Sequence, residues 1–238
     1  MTEGGLSVVI PVYNEGANIT PVLEGIVQNV DVPGLEVLVV HDFPEDTTVP
    51  VVLELLERLP QVRPVLNTIG RGALNAIKAG FQEAAHPYVL VTMADLSDDP
   101  RDIQPMYRLA LGGADVVAAS RYMRGGRQIG GPLVKRTMSR VAGLTLHWIG
   151  GLPVHDPTSN FKLYSRHLLD QVTIESQGGF ELALELTVKA HLLGLPMAEV
   201  PSTWRDRSAG QSRFRLMQWL PHYLRWYLRG ITGRLRSR

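Results

Sequence analysis

An apolar run of strand length, Tyr88-Val89-Leu90-Val91-Thr92, empties through Met93 and Ala94 into Asp95, Asp98 and Asp99 and stops at Pro100. Acid is thus delivered to the end of a buried strand. In an open α/β sheet, ligands bind in the crevice beyond the carboxyl ends of the strands. Carboxylates there are placed to hold a divalent cation or a sugar hydroxyl. The same residues also suit a solvated loop in which Asp98 or Asp99 caps the following helix.

Short β-branched runs alternate with helical stretches through the first half, the signature of βαβ units and a mainly parallel sheet. The pattern predicts strands over 6–10, 36–40, 63–66, 88–92 and 115–120, and helices over 17–29, 50–59, 72–84 and 103–111. The second half is less regular. It predicts helices over 133–149 and 180–193, the latter with Glu181 and Glu185 four apart on one face, and a returning strand over 199–204. At 238 residues and 45% hydrophobic, the chain suits one large domain, expected over 1–212, followed by a basic amphipathic helix over 213–238.

The absence of cysteine excludes a disulfide framework and thiolate metal sites and suits a reducing compartment. Neither a secretion signal nor an apolar run of bilayer-spanning length is visible, so the cytoplasm is the expected location. The formal net charge is only +1, yet no acid follows Asp206, while Arg207, Arg213, Arg215, Arg225, Arg229, Arg234, Arg236 and Arg238 do. The tail mixes these arginines with Trp219, Tyr223, Trp226, Tyr227 and leucines, which suits a helix lying among anionic headgroups. A helix packing back on the domain is the other reading, and Pro221 is expected to bend or break it.

The first predicted strand ends in Pro11-Val12-Tyr13-Asn14-Glu15, offering a ring face for a base and a carboxylate for a ribose diol, or an Asn14 helix cap. The second ends in His41-Asp42; Asp42 is placed to accept from a base N–H or to form a turn ahead of Pro44. Read together, Val8-Val9-Ile10-Pro11-Val12-Tyr13-Asn14-Glu15, Val39-Val40-His41-Asp42 and Ala94-Asp95-Leu96-Ser97 resemble the ordered motifs of family 2 glycosyltransferases of the GT-A fold. Further on, Ala119-Ser120-Arg121-Tyr122 with Gly125-Gly126, Asp156-Pro157-Thr158-Ser159-Asn160-Phe161, and Arg205-Asp206-Arg207 with Gly210-Gln211-Ser212-Arg213 look like the polyprenyl-phosphate (dolichol-phosphate) mannosyl- and glucosyltransferase branch.

The resemblance implies a mixed α/β GT-A fold in which Pro11, Tyr13, Glu15, Asp42 and Asp95 bind a nucleotide-diphosphate sugar, GDP- or UDP-linked. It implies that Asp95 binds Mg²⁺ or Mn²⁺ bridging the diphosphate, with Asp98 as a further ligand or a helix cap. It places Arg121, Lys135, Ser139, Arg205 and Arg213 on phosphates of donor or acceptor, with Asp95, Arg121, Arg205 and Arg213 as the catalytic set. Two departures stand out. Met93 occupies a position where the family's Asp-x-Asp metal motif has a carboxylate, and a thioether has little affinity for a hard cation. His41 and Phe43-Pro44 replace the usual aspartate and Gly-Ser turn, so the nucleoside pocket is expected to be reshaped.

The implied reaction is inverting transfer of a hexose to a polyprenyl phosphate, at an anionic membrane surface on the inner face and without nucleic acid. An acceptor phosphate is already ionised near neutral pH, so positioning and charge neutralisation supply the catalysis without a strong general base. His147, His155 and His191 are accordingly read as structural, and the glycine-rich 125–132 segment as a mobile acceptor loop. The alternatives are transfer to a saccharide hydroxyl, nucleotidyl transfer on a related fold, and a non-catalytic domain that binds a nucleotide sugar or lipid phosphate.

Overall fold

The computed structural model describes residues 4–206 and 216–236. Among them the strands are β1 (Leu6–Pro11), β2 (Glu36–His41), β3 (Val62–Leu66), β4 (Tyr88–Val91), β5 (Val116–Ser120), β6 (Arg127–Ile129), β7 (Lys162–Ser165), β8 (Met197–Pro201) and β9 (Thr203–Arg205). The α-helices are α1 (Ile19–Asn29), α2 (Thr48–Leu55), α3 (Ala73–Glu83), α4 (Ile103–Leu111), α5 (Leu133–Thr145), α6 (Arg166–Gln171), α7 (Leu182–Leu192) and α8 (Leu216–Arg236). Seven strands form one sheet in the order β3-β2-β1-β4-β7-β5-β8.

Alternate residues of the central strands feed two apolar layers, as the two-residue period of a strand requires. Val8, Ile10, Val37 and Val39 pack with Ile19, Leu23 and Ile26 of α1 and with Ile103 and Met106 of α4. Val9, Leu38 and Val40 face the other way, against Leu74, Ile77 and Phe81 of α3 and Leu182 and Leu186 of α7. Helix α3 lies so close to β1 that a Cβ on Gly80 would come within 2.3 Å of Val9 Cγ1. The β-strands buried on both faces are the near-continuous apolar runs of the sequence.

The second half departs from the sequence expectation in three ways. Strand β7 runs antiparallel between β4 and β5, pairing Lys162 with both Val91 and Ala118. Reversal brings the start of β7, and the 156–161 segment before it, to the carboxyl edge where β4 and β5 end. The single strand expected over 199–204 is two: β8 completes the main sheet beside β5, whereas β9 pairs with β6 in a separate two-stranded sheet. The helix expected over 133–149 is α5 followed by a wider π-helical turn over Leu146–Gly150.

The C-terminal helix is also corrected. Pro221 lies within a continuous α8 rather than dividing it, and Trp226, only 2% exposed, packs with Leu146, Leu152, Leu184 and Val188. Arg225 and Arg229 pair with Glu175 on the body of the protein, so α8 packs back on the domain. Among the described residues no helix is long and apolar enough to cross a membrane. Trp226→Ala should therefore destabilise the fold by about 3–5 kcal/mol in urea unfolding, the cost of emptying a buried aromatic site; a loss below about 1 kcal/mol would show that α8 is not docked.

Candidate functional site

The carboxyl ends of β1, β2 and β4 lie side by side and bring the three first-half motifs to one edge. After β1, Asn14 adopts φ 54°, a left-handed conformation that Asn tolerates better than most residues. Its N–H donates to Asp46 Oδ2 at 2.9 Å, and Thr48 Oγ1 accepts the Glu15 N–H at 3.0 Å. Asp46, nearly fully buried, also accepts the Thr48 N–H at 2.8 Å. Asn14 therefore does not cap the helix; its side chain instead accepts the Thr47 N–H at 3.1 Å. The positioning role of Asp46 was not evident from the motif, although Asp46-Thr47-Thr48 is an Asx-type turn sequence.

Asp42 supports a second loop. Asn67 Nδ2 donates to its Oδ1 and the Gly72 N–H to its Oδ2, both at 2.8 Å. Gly72 has φ 111°, which glycine alone adopts without strain, so this carboxylate fixes the entrance to α3. At the tip, half-exposed Tyr13 meets Phe43 edge to face at 5.5 Å, and Arg71 stands 5.6 Å from the Phe43 ring centroid. Phe43-Pro44 thus supplies an aromatic wall in place of the Gly-Ser turn usual in the family that the motifs resemble, while buried His41 places Nδ1 2.9 Å from the Phe43 carbonyl oxygen. Pro11, buried, closes β1.

In the acidic loop the three carboxylates divide their roles. Asp95 Oδ1 accepts the Ser97 N–H at 3.1 Å and holds the turn through Leu96, a non-glycine residue at φ 58°. Asp98 turns inward, accepting from Thr92 Oγ1 at 3.0 Å; burial and the nearby Asp95 push its carboxyl up to about 7. The helix cap is Asp99, which accepts the Arg101 N–H at 3.0 Å. Hydrogen bonding from Arg101, with a smaller contribution from Arg205, holds Asp99 below the usual carboxylate range. Strand β9 is fastened to this loop by the Arg205 N–H, which donates to the Ser97 carbonyl at 3.0 Å.

Across the edge, Arg121 follows β5 and is largely, though not wholly, buried, with 14% of its side chain exposed. Its Nε donates to Asp156 Oδ2 at 2.6 Å and its Nη2 to Asp156 Oδ1 at 2.9 Å, a bidentate pair. Nη2 also reaches Ser139 Oγ and Thr158 Oγ1, each at 3.2 Å. Burial alone would lower the Arg121 guanidinium, but Asp156 more than reverses this and raises it. Asp156 suffers the same desolvation, yet Arg121 keeps it below its ordinary range. Ser139 is shared with Tyr122 Oη at 2.9 Å and Thr158 at 2.7 Å. Lys135 lies one turn before Ser139 on α5. Arg213 lies outside the described residues.

Lys162 was not anticipated. Fully buried at the start of β7, its Nζ donates to the carbonyls of Asp156, at 3.1 Å, and Ser159. Burial pulls this amine down to about 7, against the opposing pull of Asp156. Glu181 and Glu185 prove to be fold anchors. Glu185 accepts from the Glu175 N–H at 2.6 Å and pairs with Lys189 at 2.8 Å, and Glu181 accepts the Gly178 N–H at 2.6 Å. The histidines likewise serve packing: His147 and His155 stack at 3.9 Å, His155 pairs with Glu199, and His191 Nε2 lies 3.2 Å from the Gly150 carbonyl. The glycine-rich segment contains β6, and a Cβ on its Gly126 would fall 2.2 Å from the Ser120 carbonyl, so part of it is fixed against β5.

Residues 7–173 match the family described as Glycosyl transferase family 2. The chain belongs to that family. Its relatives include the dolichol-phosphate mannosyltransferase of Pyrococcus furiosus, 27% identical across 96% of this chain and 69% of that one. They also include the polyprenol monophosphomannose synthase of Mycolicibacterium smegmatis, 29% identical across 97% and 89%. Among solved structures, glucosyl-3-phosphoglycerate synthase of Mycobacterium tuberculosis in complex with Mn²⁺, UDP and glucosyl-3-phosphoglycerate superposes with a TM-score of 0.67 at 21% identity, covering 98% of this chain and 80% of that one. The same enzyme with Mg²⁺ and UDP gives 0.65 at 22% identity, covering 98% and 79%. The fold is GT-A, and the protein is a glycosyltransferase.

Within this family 2 site, Lys162 offers a pH signature of its own. Its folded-state value of about 7 lies below the ordinary 10.5, so between these values the unfolded chain binds the additional proton. Stability should rise with pH through that window, by at most about 1.4 kcal/mol per unit. Lys162→Met should remove this rise from unfolding curves recorded from pH 6 to pH 10; an identical pH profile in both proteins would contradict a buried, proton-poor Lys162.

Proposed function

We propose that this glycosyltransferase moves a hexose from a nucleotide-diphosphate sugar to a polyprenyl phosphate, with inversion at the anomeric carbon, while associated with the inner face of the membrane. The observation that carries the reading is the largely buried, bidentate-held Arg121 with Ser139 and Thr158 beside the acidic strand ends. A guanidinium already oriented and desolvated meets an anion without reorganising. Of the relatives named above, one is named for mannosyl transfer with dolichol phosphate and the other for making polyprenol monophosphomannose, which supports this reading.

On this reading Pro11, Tyr13, Glu15 and Asp42 hold the nucleoside, and Phe43 with Arg71 extends the wall around it. Arg121, Lys135, Ser139, Arg205 and Arg213 receive phosphates. A phosphate oxygen of the acceptor attacks the anomeric carbon, the bond to the donor's diphosphate breaks, and nucleoside diphosphate departs with the electron pair. No proton needs to be removed from the attacking group. This suits a site where Asp156 is committed to Arg121, and Glu185 to backbone N–H groups and Lys189.

The donor set also fits Mg²⁺ or Mn²⁺ held jointly with the nucleotide. Asp95 supplies one carboxylate and Asp98 lies close enough to feel its charge. Met93 adds only a thioether, and no group of three metal-ligating side chains occurs among the described residues. Such ions take few protein carboxylates and complete their shell with phosphate and water. Bound at Asp95, the cation would neutralise charge developing on the leaving diphosphate.

Labelled GDP- and UDP-sugars offered with polyprenyl phosphate should give a lipid-linked sugar. Product found instead on a saccharide hydroxyl, or donor binding without turnover, would overturn the acceptor assignment. Mn²⁺ binding followed by electron paramagnetic resonance should be weak alone and at least about tenfold tighter with the cognate nucleoside diphosphate. Asp95→Ala should abolish that gain and Met93→Asp should strengthen binding without nucleotide; an unchanged gain in Asp95→Ala would remove the cation from this loop.

A further inference from the structure

Helix α5 has two unlike faces. One turns inward: Ser139 hydrogen-bonds Arg121 and Tyr122, Gly143 packs so near the His155 carbonyl that a Cβ would come within 2.3 Å, and Leu146 just beyond is fully buried. The other presents Val134, Met138 and Val141, which fall on one stripe at helical spacing, and the π-helical turn that follows adds Trp148 and Ile149. These are large apolar side chains left in water, Val134 at 63% and Trp148 at 73% exposure. Contiguous exposed apolar surface of this kind marks a docking site.

We propose that this outer face of α5 and its π-helical turn is the surface by which the protein seats on an anionic lipid bilayer, an inference that rests on the polyprenyl phosphate reading. Charge selects the occupant. Between Asp115 and Asp156 the sequence contains no acidic residue, while Arg124, Arg127, Arg136 and Arg140 all lie on or just before α5. The exposed Arg140 borders the apolar stripe on its helix, with Arg124 and Arg127 exposed just before it, the pattern of an interfacial helix with cations at headgroup level. Trp148 is the residue type that settles at that boundary. A second copy docked on this face through a twofold axis would bring two acid-free surfaces carrying Arg140 together, which like-charge repulsion opposes.

Position favours the same occupant. Because Ser139 sits on the opposite side of the same helix, a bilayer on the outer face brings lipid phosphates within about one helix diameter, ~10–12 Å, of Arg121. The tail is less well equipped to bind lipid, because Arg225 and Arg229 are engaged by Glu175 and lie over the Trp226 ring.

The test uses the full-length protein and flotation with vesicles of phosphatidylglycerol and phosphatidylcholine at low salt. Wild type should float with them and should not float with phosphatidylcholine alone. Val141→Asn combined with Trp148→Ala should reduce the bound fraction at least about tenfold, Trp148→Tyr should retain most of it, and Arg225→Gln with Arg229→Gln should leave it unchanged. Equal thermal melts would confirm that the α5 variant is folded, as expected for exposed positions. The surface would be overturned if the α5 variant floats like wild type, if only the tail variant loses flotation, or if the α5 substitutions convert a dimer to a monomer without changing vesicle binding. Transfer to a short-chain, water-soluble polyprenyl phosphate separates this from the acceptor reading. The α5 variant should match wild type there, and failure of both proteins to transfer would overturn that reading while flotation still judges the surface.

Discussion

A guanidinium and a carboxylate buried against each other, Arg121 on Asp156, join the two halves of the site. The pair ties the end of β5 to the segment that enters β7, and Lys162 grips the carbonyls of that segment from below. Replacing a buried ion pair by apolar groups is often neutral or stabilising, whereas removing one partner costs about 3–5 kcal/mol. The value of the arrangement is therefore geometric: two parallel hydrogen bonds fix the plane of the guanidinium, and Ser139 and Thr158 fix one of its edges. Strand reversal at β7 makes this possible, since a parallel strand would carry its preceding loop to the opposite edge of the sheet.

From that clasp outward the site is organised by opposite charge. Asp98 is raised by its own burial and by Asp95, while Arg121 pulls it the other way, so the acidic loop and the basic cluster already interact across the edge. Arg205 belongs to both, anchored by its backbone to Ser97 and acting by charge on Asp99. At the ends of β1 and β2 the carboxylates serve as scaffolding. Asp42 and Asp46 also hold backbone N–H groups and Asn67, beneath a tip where Tyr13, Phe43 and Arg71 come together.

How much of this could be read from the sequence follows from burial. Strands β1, β2, β4 and β5 announce themselves because burial on both faces demands unbroken β-branched and apolar runs. Strand β7 does not, because Lys162 interrupts a short run, and only the carbonyls of Asp156 and Ser159 make a buried amine tolerable there. Residues 199–204 look like one strand because Ser202, where the chain changes sheets, carries no turn signal strong enough to divide them. In α8 the arginines and Pro221 suggested a broken interfacial helix, but Glu175, more than forty residues away in sequence, supplies partners that composition cannot reveal. The site shows the same division. Motifs locate Asp95, Arg121, Asp156 and Thr158 one by one, whereas the clasp of Asp156 and Thr158 on Arg121 depends on a contact between segments 35 and 37 residues apart, and the inward turn of Asp98 onto Thr92 on the burial of its loop.

The central claim is that Asp156 holds Arg121 in the orientation that receives a phosphate, and Arg121→Lys tests it most directly because the charge stays and the planar fork is lost. Steady-state transfer to polyprenyl phosphate, with a thermal melt in parallel, should show kcat/KM falling at least about tenfold in a protein that remains folded, the loss of roughly 1.4 kcal/mol or more of transition-state interaction. Wild-type kcat/KM in a folded Arg121→Lys protein would contradict the claim.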